Sequence, residues 1–209
     1  MSSEENQTLS RYATAWGIEL IQQSLISSEP RSIAIPNDAK WVFLSSPRAT
    51  RYFFEQHPKT DLKVGVIGNA SAEAAPPHIS IDFIGQGDTQ QVALQFKSLI
   101  GDNKVLFPTS DRSIRTVQEQ LAEGQALEQT IYTTSLHPVN IPKSDAYFFT
   151  SPSNVESFFS QQQLPEGAKV IAKGKSTLQA LNKHTKNAIV ALNYSSSGSW
   201  NTIFSVLHS

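Results

Sequence analysis

Apolar positions in this chain fall into two kinds of pattern that alternate along its length. Residues 41–44 (Trp-Val-Phe-Leu) and 146–149 (Ala-Tyr-Phe-Phe) are short unbroken apolar runs, the pattern of strands buried on both faces of a parallel sheet. Behind each run the apolar spacing changes. Thr50, Phe53 and Phe54 follow the first, and Val155, Phe158 and Phe159 follow the second, at i, i+3, i+4, which buries one face of a helix. Between run and helix stand Ser45-Ser46-Pro47 and Thr150-Ser151-Pro152. A side-chain oxygen there can cap the first turn, and proline is tolerated inside it.

The two blocks are copies. Ser46 and Ser151 lie 105 residues apart, and the downstream segments Lys63–Ser71 and Lys169–Thr177 align with Gly68 and Gly174 106 apart. A single one-residue insertion separates them. Each copy predicts strand, turn, helix, strand, glycine turn, helix. Ser71 is the candidate cap of a short helix that Pro76-Pro77 ends, and Ser176 or Thr177 caps its twin through Leu181. Elsewhere, Ile79–Ile84 predicts a strand, and Asp88 caps a helix through Ile100 with Val92, Phe96 and Leu99 on one face. Lys104–Phe107 predicts a strand, Ser113–Glu123 a helix stopped by Gly124, Ala188–Leu192 a strand and Ser199–Leu207 a last helix. The expected class is α/β, with two similar small lobes, each a parallel sheet flanked by helices. A ligand is expected in a cleft between lobes, at the carboxyl ends of the strands.

Composition narrows the chemistry. With 17 basic and 18 acidic residues in 209, the formal net charge is −1, so no global field holds a nucleic-acid backbone or an anionic membrane. Cysteine is absent, which excludes disulfides, thiolate catalysis and Cys-ligated metals. His57, His78, His137, His184 and His208 show no ligand spacing. No apolar run has the length of a membrane span, and the polar, acidic MSSEENQTLS does not read as a signal peptide. The expectation is a soluble, cytoplasmic monomer without a metal.

With those motifs in order, the chain resembles the uroporphyrinogen-III synthase family over roughly residues 24–207. The resemblance is carried by the paired hydroxyl-Pro turns at Ser45–Pro47 and Thr150–Pro152 and by the glycine turns at Gly68–Ser71 and Gly174–Thr177. Leu106–Arg112 and Ile131-Tyr132-Thr133-Thr134 complete it. It implies a chain that crosses between lobes twice, near residues 26–31 and 130–136, with lobe one at 1–30 plus 136–209 and lobe two at 31–135. Leu9-Ser10-Arg11 then stands for the family's first strand and its arginine. The implied reaction converts hydroxymethylbilane, a linear tetrapyrrole with eight carboxylates, into uroporphyrinogen III. Water is lost to give an azafulvene, and a spiro intermediate leaves ring D inverted. No metal or redox cofactor is implied.

Net charge −1 cannot draw in such an anion, so local donors must. Helix N-termini supply free N–H groups, beside the hydroxyls of Ser45, Ser46, Ser71 and Ser110 in one copy. Thr150, Ser151, Ser153, Ser176 and Thr177, with Asn154, supply them in the other. Arg48, Arg112 and Lys175 can pair with carboxylates. Each hydroxyl can equally be a plain cap, and Arg48 and Lys175 solvated surface charges. Tyr132, carried over from the Tyr-x-Thr match, is the candidate acid for the leaving hydroxyl; its other reading is a packing aromatic. Two non-catalytic readings stand beside the enzyme: a two-lobed small-anion binding protein, and an inactive relative of the family.

Overall fold

The computed structural model describes residues 3–190; the helix expected at Ser199–Leu207 and the last two residues of Ala188–Leu192 lie outside them. The chain divides into two compact units, 28–134 and 1–27 with 135–209.

In unit 28–134 the strands are β1 (Ile26–Pro30), β2 (Ala39–Leu44), β3 (Lys63–Val66), β4 (Phe83–Ile84), β5 (Lys104–Ser110) and β6 (Ala126–Leu136). They form one sheet in the order β1-β6-β5-β2-β3-β4. β6, β5, β2, β3 and β4 run parallel. Alternate residues serve two cores, which is why the central strands are apolar throughout. Val42, Leu44, Val64, Val66 and Leu106 pack with Phe53 and Phe54 of α2 (Pro47–Gln56). Trp41, Phe43, Val105 and Phe107 pack with Val92, Phe96 and Ile100 of α4 (Thr89–Ile100). A short α3 (Asn69–Glu73) follows β3.

The other unit holds the parallel sheet β7 (Ala146–Phe149), β8 (Lys169–Ala172), β9 (Ala188–Val190). On one face Tyr147, Phe149, Val170 and Ala172 meet Val155 and Phe158 of α5 (Pro152–Phe159) and Leu181 of α6 (Lys175–Leu181). On the other face Ile171 meets Leu9 and Ala13 of α1 (Ser3–Ala15).

The duplication is reproduced in strand register. Trp41 to Leu44 face Lys63 to Val66, and Ala146 to Phe149 face Lys169 to Ala172. The first strands differ by 105 and the second by 106, as in the sequence.

Several local expectations need correction. Leu9-Ser10-Arg11 is helix, not strand, because Leu9, Tyr12 and Ala13 sit at helical spacing against Ile171 and Phe148. Ser113–Glu123 contains only a 3₁₀ turn at Gln118–Gln120. Its buried residues, Val117 and Gln118, are adjacent rather than helically spaced, and Ile114 is 78% exposed. On α4 the buried face runs through Ala93 and Ile100, leaving Leu99 half exposed. Only Phe83–Ile84 of the expected Ile79–Ile84 strand pairs with β3. Residues 130–136 lie within β6. β6 neighbours β1. Arg31 N donates to Ile131 O at 2.7 Å and His137 N to Leu25 O at 2.8 Å. Residue numbers run oppositely along this pair, so it is antiparallel.

Candidate functional site

Parallel strands deliver the turns that follow them to one edge of a sheet. In unit 28–134 this carboxyl edge gathers the ends of β2, β3, β5 and β6. At the end of β2, Ser46 is extended (φ −160°, ψ 154°) and its Oγ accepts from Ala49 N at 3.1 Å. Pro47 and Arg48 then occupy the first turn of α2. The Arg48 guanidinium carbon lies 5.6 Å from the centre of the Tyr132 ring. Tyr132 comes from β6 and is 8% exposed. Its ring also meets that of Tyr52, one turn further along α2, at 5.5 Å between centres. The Tyr52 hydroxyl is within hydrogen-bond distance of Ser28 Oγ, 2.9 Å. Ser45, ahead of the cap, is half-buried.

The end of β5 folds back on itself. Ser110 N donates to Ser113 Oγ at 2.9 Å, the two hydroxyls lie 3.0 Å apart, and Arg112 N donates to Ser110 Oγ at 3.2 Å. Asp111 then reaches across to β6. Its N donates to Tyr132 O at 3.3 Å, and its Oδ1 accepts from Thr134 N at 2.9 Å. Arg112 is exposed. After β3, Gly68 rather than Ser71 holds the cap position, and Ser71 sits inside α3 with a buried Oγ that has no hydrogen-bond partner.

The other unit repeats the first turn. Ser151 is extended (φ −156°, ψ 156°) and its Oγ accepts from Asn154 N at 3.3 Å. Asn154 is fully engaged: its Nδ2 donates to Thr150 Oγ1 and Ser151 Oγ, and its Oδ1 accepts from Leu25 N at 3.1 Å. Gly174, not Ser176 or Thr177, precedes α6. Lys175 and Ser176 are exposed, Thr177 is buried and Ser153 is half-buried. Sequence-named residues thus divide by availability. Ser46, Ser110, Ser151 and Asn154 hold turns together, Ser71 and Thr177 are inside, and Ser45, Arg48, Arg112, Ser153, Lys175 and Ser176 face outward to some degree.

Two further observations bound the chemistry. Among the described residues no three His, Asp or Glu side chains lie close enough to hold a metal ion. A pocket of about 900 Å³ does open in the second unit, between Phe159, Glu166, Lys169 and His184. It lies at the amino ends of β8 and β9, away from the edge where open parallel sheets take ligands, and no candidate residue lines it.

A family model described as uroporphyrinogen-III synthase HemD matches residues 7–200. The chain belongs to the uroporphyrinogen-III synthase family. Its activity is the cyclisation of hydroxymethylbilane to uroporphyrinogen III, a lyase-type step of haem biosynthesis. The crystal structure of uroporphyrinogen-III synthetase from Helicobacter pylori 26695 is similar in fold. The match has a TM-score of 0.67 and 14% identity, and covers 87% of this chain and 91% of that one. Uroporphyrinogen III synthase from the extremely thermophilic bacterium Thermus thermophilus matches at 15% identity over 99% and 96% of the two chains, with a TM-score of 0.44. No curated protein sequence matches significantly. No helix among the described residues is long and apolar enough to cross a membrane.

Two residues that contact the candidate Tyr132 were not among those named from the sequence. Asp111 lies inside the Leu106–Arg112 segment, and its bonds to Tyr132 and Thr134 depend on where β6 runs, which no local pattern announces. Tyr52 lay inside the first repeat block, where the second copy has Ser157; that asymmetry was the available signal.

Proposed function

We propose that Tyr132 and Arg48 form the working pair of this synthase in unit 28–134. Arg48 holds a substrate carboxylate, and Tyr132 gives the proton on which the terminal hydroxyl leaves as water. The observation that supports this reading is the guanidinium 5.6 Å over the Tyr132 ring, at the carboxyl edge of a parallel sheet. A cation resting on a ring face keeps its planar fork of N–H donors for a carboxylate, bidentate where geometry allows. Ser45 and Arg112 supply further donors on this unit for a substrate with eight carboxylates; Ser153, Lys175 and Ser176 are the candidate donors on the other unit. Ser46, Ser110, Thr150, Ser151 and Asn154 act chiefly by shaping those turns, while Ser71 and Thr177 are buried within α3 and α6. The substrate brings its own electron-rich pyrroles, so much of the acceleration comes from holding a flexible chain in a near-attack shape. We further propose a cytoplasmic monomer that binds no nucleic acid, in keeping with a net charge of −1.

Tyr132→Phe keeps the ring packing and removes the proton. General acids typically contribute about 10²–10⁴-fold. A hydroxymethyl group on a pyrrole leaves readily, so the expected kcat loss is nearer about ten-fold, with KM nearly unchanged. Assay with enzymatically generated hydroxymethylbilane and separation of uroporphyrinogen isomers reads both rate and fidelity. Wild-type kcat with an unaltered isomer ratio removes Tyr132 from the chemistry.

A further inference from the structure

The register of β5 against β6 breaks beside Tyr132. From Val105 opposite Ala126 to Thr109 opposite Thr130 the partners keep one offset, but Ser110 then faces Tyr132. β6 therefore carries one extra residue, Ile131. Successive side chains of a regular strand point to opposite faces, yet Ile131 and Tyr132 are both buried in the same cluster with Val42, Leu44 and Phe53. The bulge turns Tyr132 onto the α2 face, where Tyr52 and Arg48 meet its ring. Bulges re-aim side chains in this way at the ends of pairing.

A bulge competes with the regular register, and something must hold it. β5 ends at Ser110, so the β6 groups beyond it have no strand partner on that side. Asp111 supplies what the ladder lacks. Its N–H goes to Tyr132 O, and its carboxylate takes the Thr134 N–H, so the two bonds pin the backbone on either side of Thr133, directly after the tyrosine. We propose that Asp111 is a positioning residue, whose carboxylate locks the bulged register and so holds the Tyr132 ring against Arg48 and Tyr52. Its catalytic consequence rests on the reading of Tyr132 given above; its structural consequence does not.

The test uses the full chain with Asp111→Ala and Asp111→Asn, the second keeping an acceptor oxygen. In Asp111→Ala, hydrogen exchange at the Thr134 amide rises about ten-fold or more, and the ring signals of ¹³C-labelled Tyr132 shift. The same variant loses about five-fold in kcat with little change in KM, and adds no further loss in a Tyr132→Phe background. Asp111→Asn restores exchange, ring signals and kcat to near wild type. The proposal is overturned if Asp111→Ala leaves Thr134 exchange and the Tyr132 ring signals unchanged. It is also overturned if Asn fails to restore them, or if the kcat loss is as large in the Tyr132→Phe background. Should Tyr132→Phe itself retain wild-type kcat, the acid role falls while exchange and ring signals still decide the clamp.

Discussion

Adding one methyl group at Gly65 sets two effects of opposite sign against each other. Gly65 lies in the middle of β3, opposite Phe43, and its φ is not one that demands glycine. Alanine there gains about 0.5–1 kcal/mol from reduced backbone freedom in the unfolded chain. The new Cβ, however, lies 2.8 Å from Phe96 Cε2 and 3.1 Å from Phe43 Cδ2, where carbons rest comfortably at about 3.5–4.0 Å. Phe96 has nowhere to retreat. It is fully buried, with Phe43, Phe83 and Trp41 at 4.5, 5.2 and 5.5 Å between ring centres. Overpacking of this kind costs about 1–3 kcal/mol, so the clash wins by about 1–2 kcal/mol. Urea titration of Gly65→Ala is expected to show a lower midpoint with an unchanged slope, and thermal melting a fall of about 3–6 °C. Phe96→Leu in the same chain makes room, so the double variant is less destabilised than the two losses added. Gly65→Ala with wild-type or higher stability would refute the packing argument.

The matched caps provide a second measurement: Ser46→Ala and Ser151→Ala each lose about 1 kcal/mol by urea titration, with KM barely moved if the hydroxyls only shape turns. Arg48→Met is expected to raise KM about five- to ten-fold with kcat less affected, the loss of one charge-assisted contact among many; an unchanged KM removes Arg48 from substrate binding. The Lys104 ammonium, 2.7 Å from Asp38, holds the Asp38 carboxyl below its ordinary value of 3.8. The stability it contributes is therefore present above about pH 4 and lost as pH falls through the depressed value; Lys104→Met returns Asp38 to its ordinary value in a carboxyl NMR titration. Prolonged chelation is expected to leave uroporphyrinogen III formation intact, and activity restored only by added metal would contradict that.

Strands buried on both faces were legible because nothing polar could interrupt Trp41–Leu44 or Ala146–Phe149, and their caps because Ser46, Ser151 and Asp88 perform a local task. Less was readable where a segment answers to a distant partner. Leu9 belongs to a helix because Ile171 needs cover on the face away from α5 and α6. Residues 113–123 carry enough helix formers to suggest a helix. The Ser110–Ser113 bonds and an exposed Ile114 leave it no buried stripe. At the site, Arg48 and Tyr132 could be named from motifs, but their approach depends on a bulge that no periodicity announces. Gly65 and Ile171 occupy equivalent positions in the two copies yet differ, because Phe96 lies over one and Leu9 with Ala13 over the other.

The change from an offset of 105 to one of 106 has a meaning for how this fold tolerates growth. The extra residue falls after α5, in the connection that returns to β8, where the first copy has the connection from α2 to β3. Both connections run at the amino ends of the strands, while the turns after Leu44 and Phe149 keep the same length. Duplication has thus performed its own insertion experiment. The end of the sheet away from Ser46 and Ser151 is permissive to added chain, and the end that carries them has kept its length. A short tag or reporter peptide placed between Ser160 and Gly167 should ride on the protein without disturbing the caps, whereas one added residue between Leu44 and Pro47 would rotate Arg48 out of line with Tyr132.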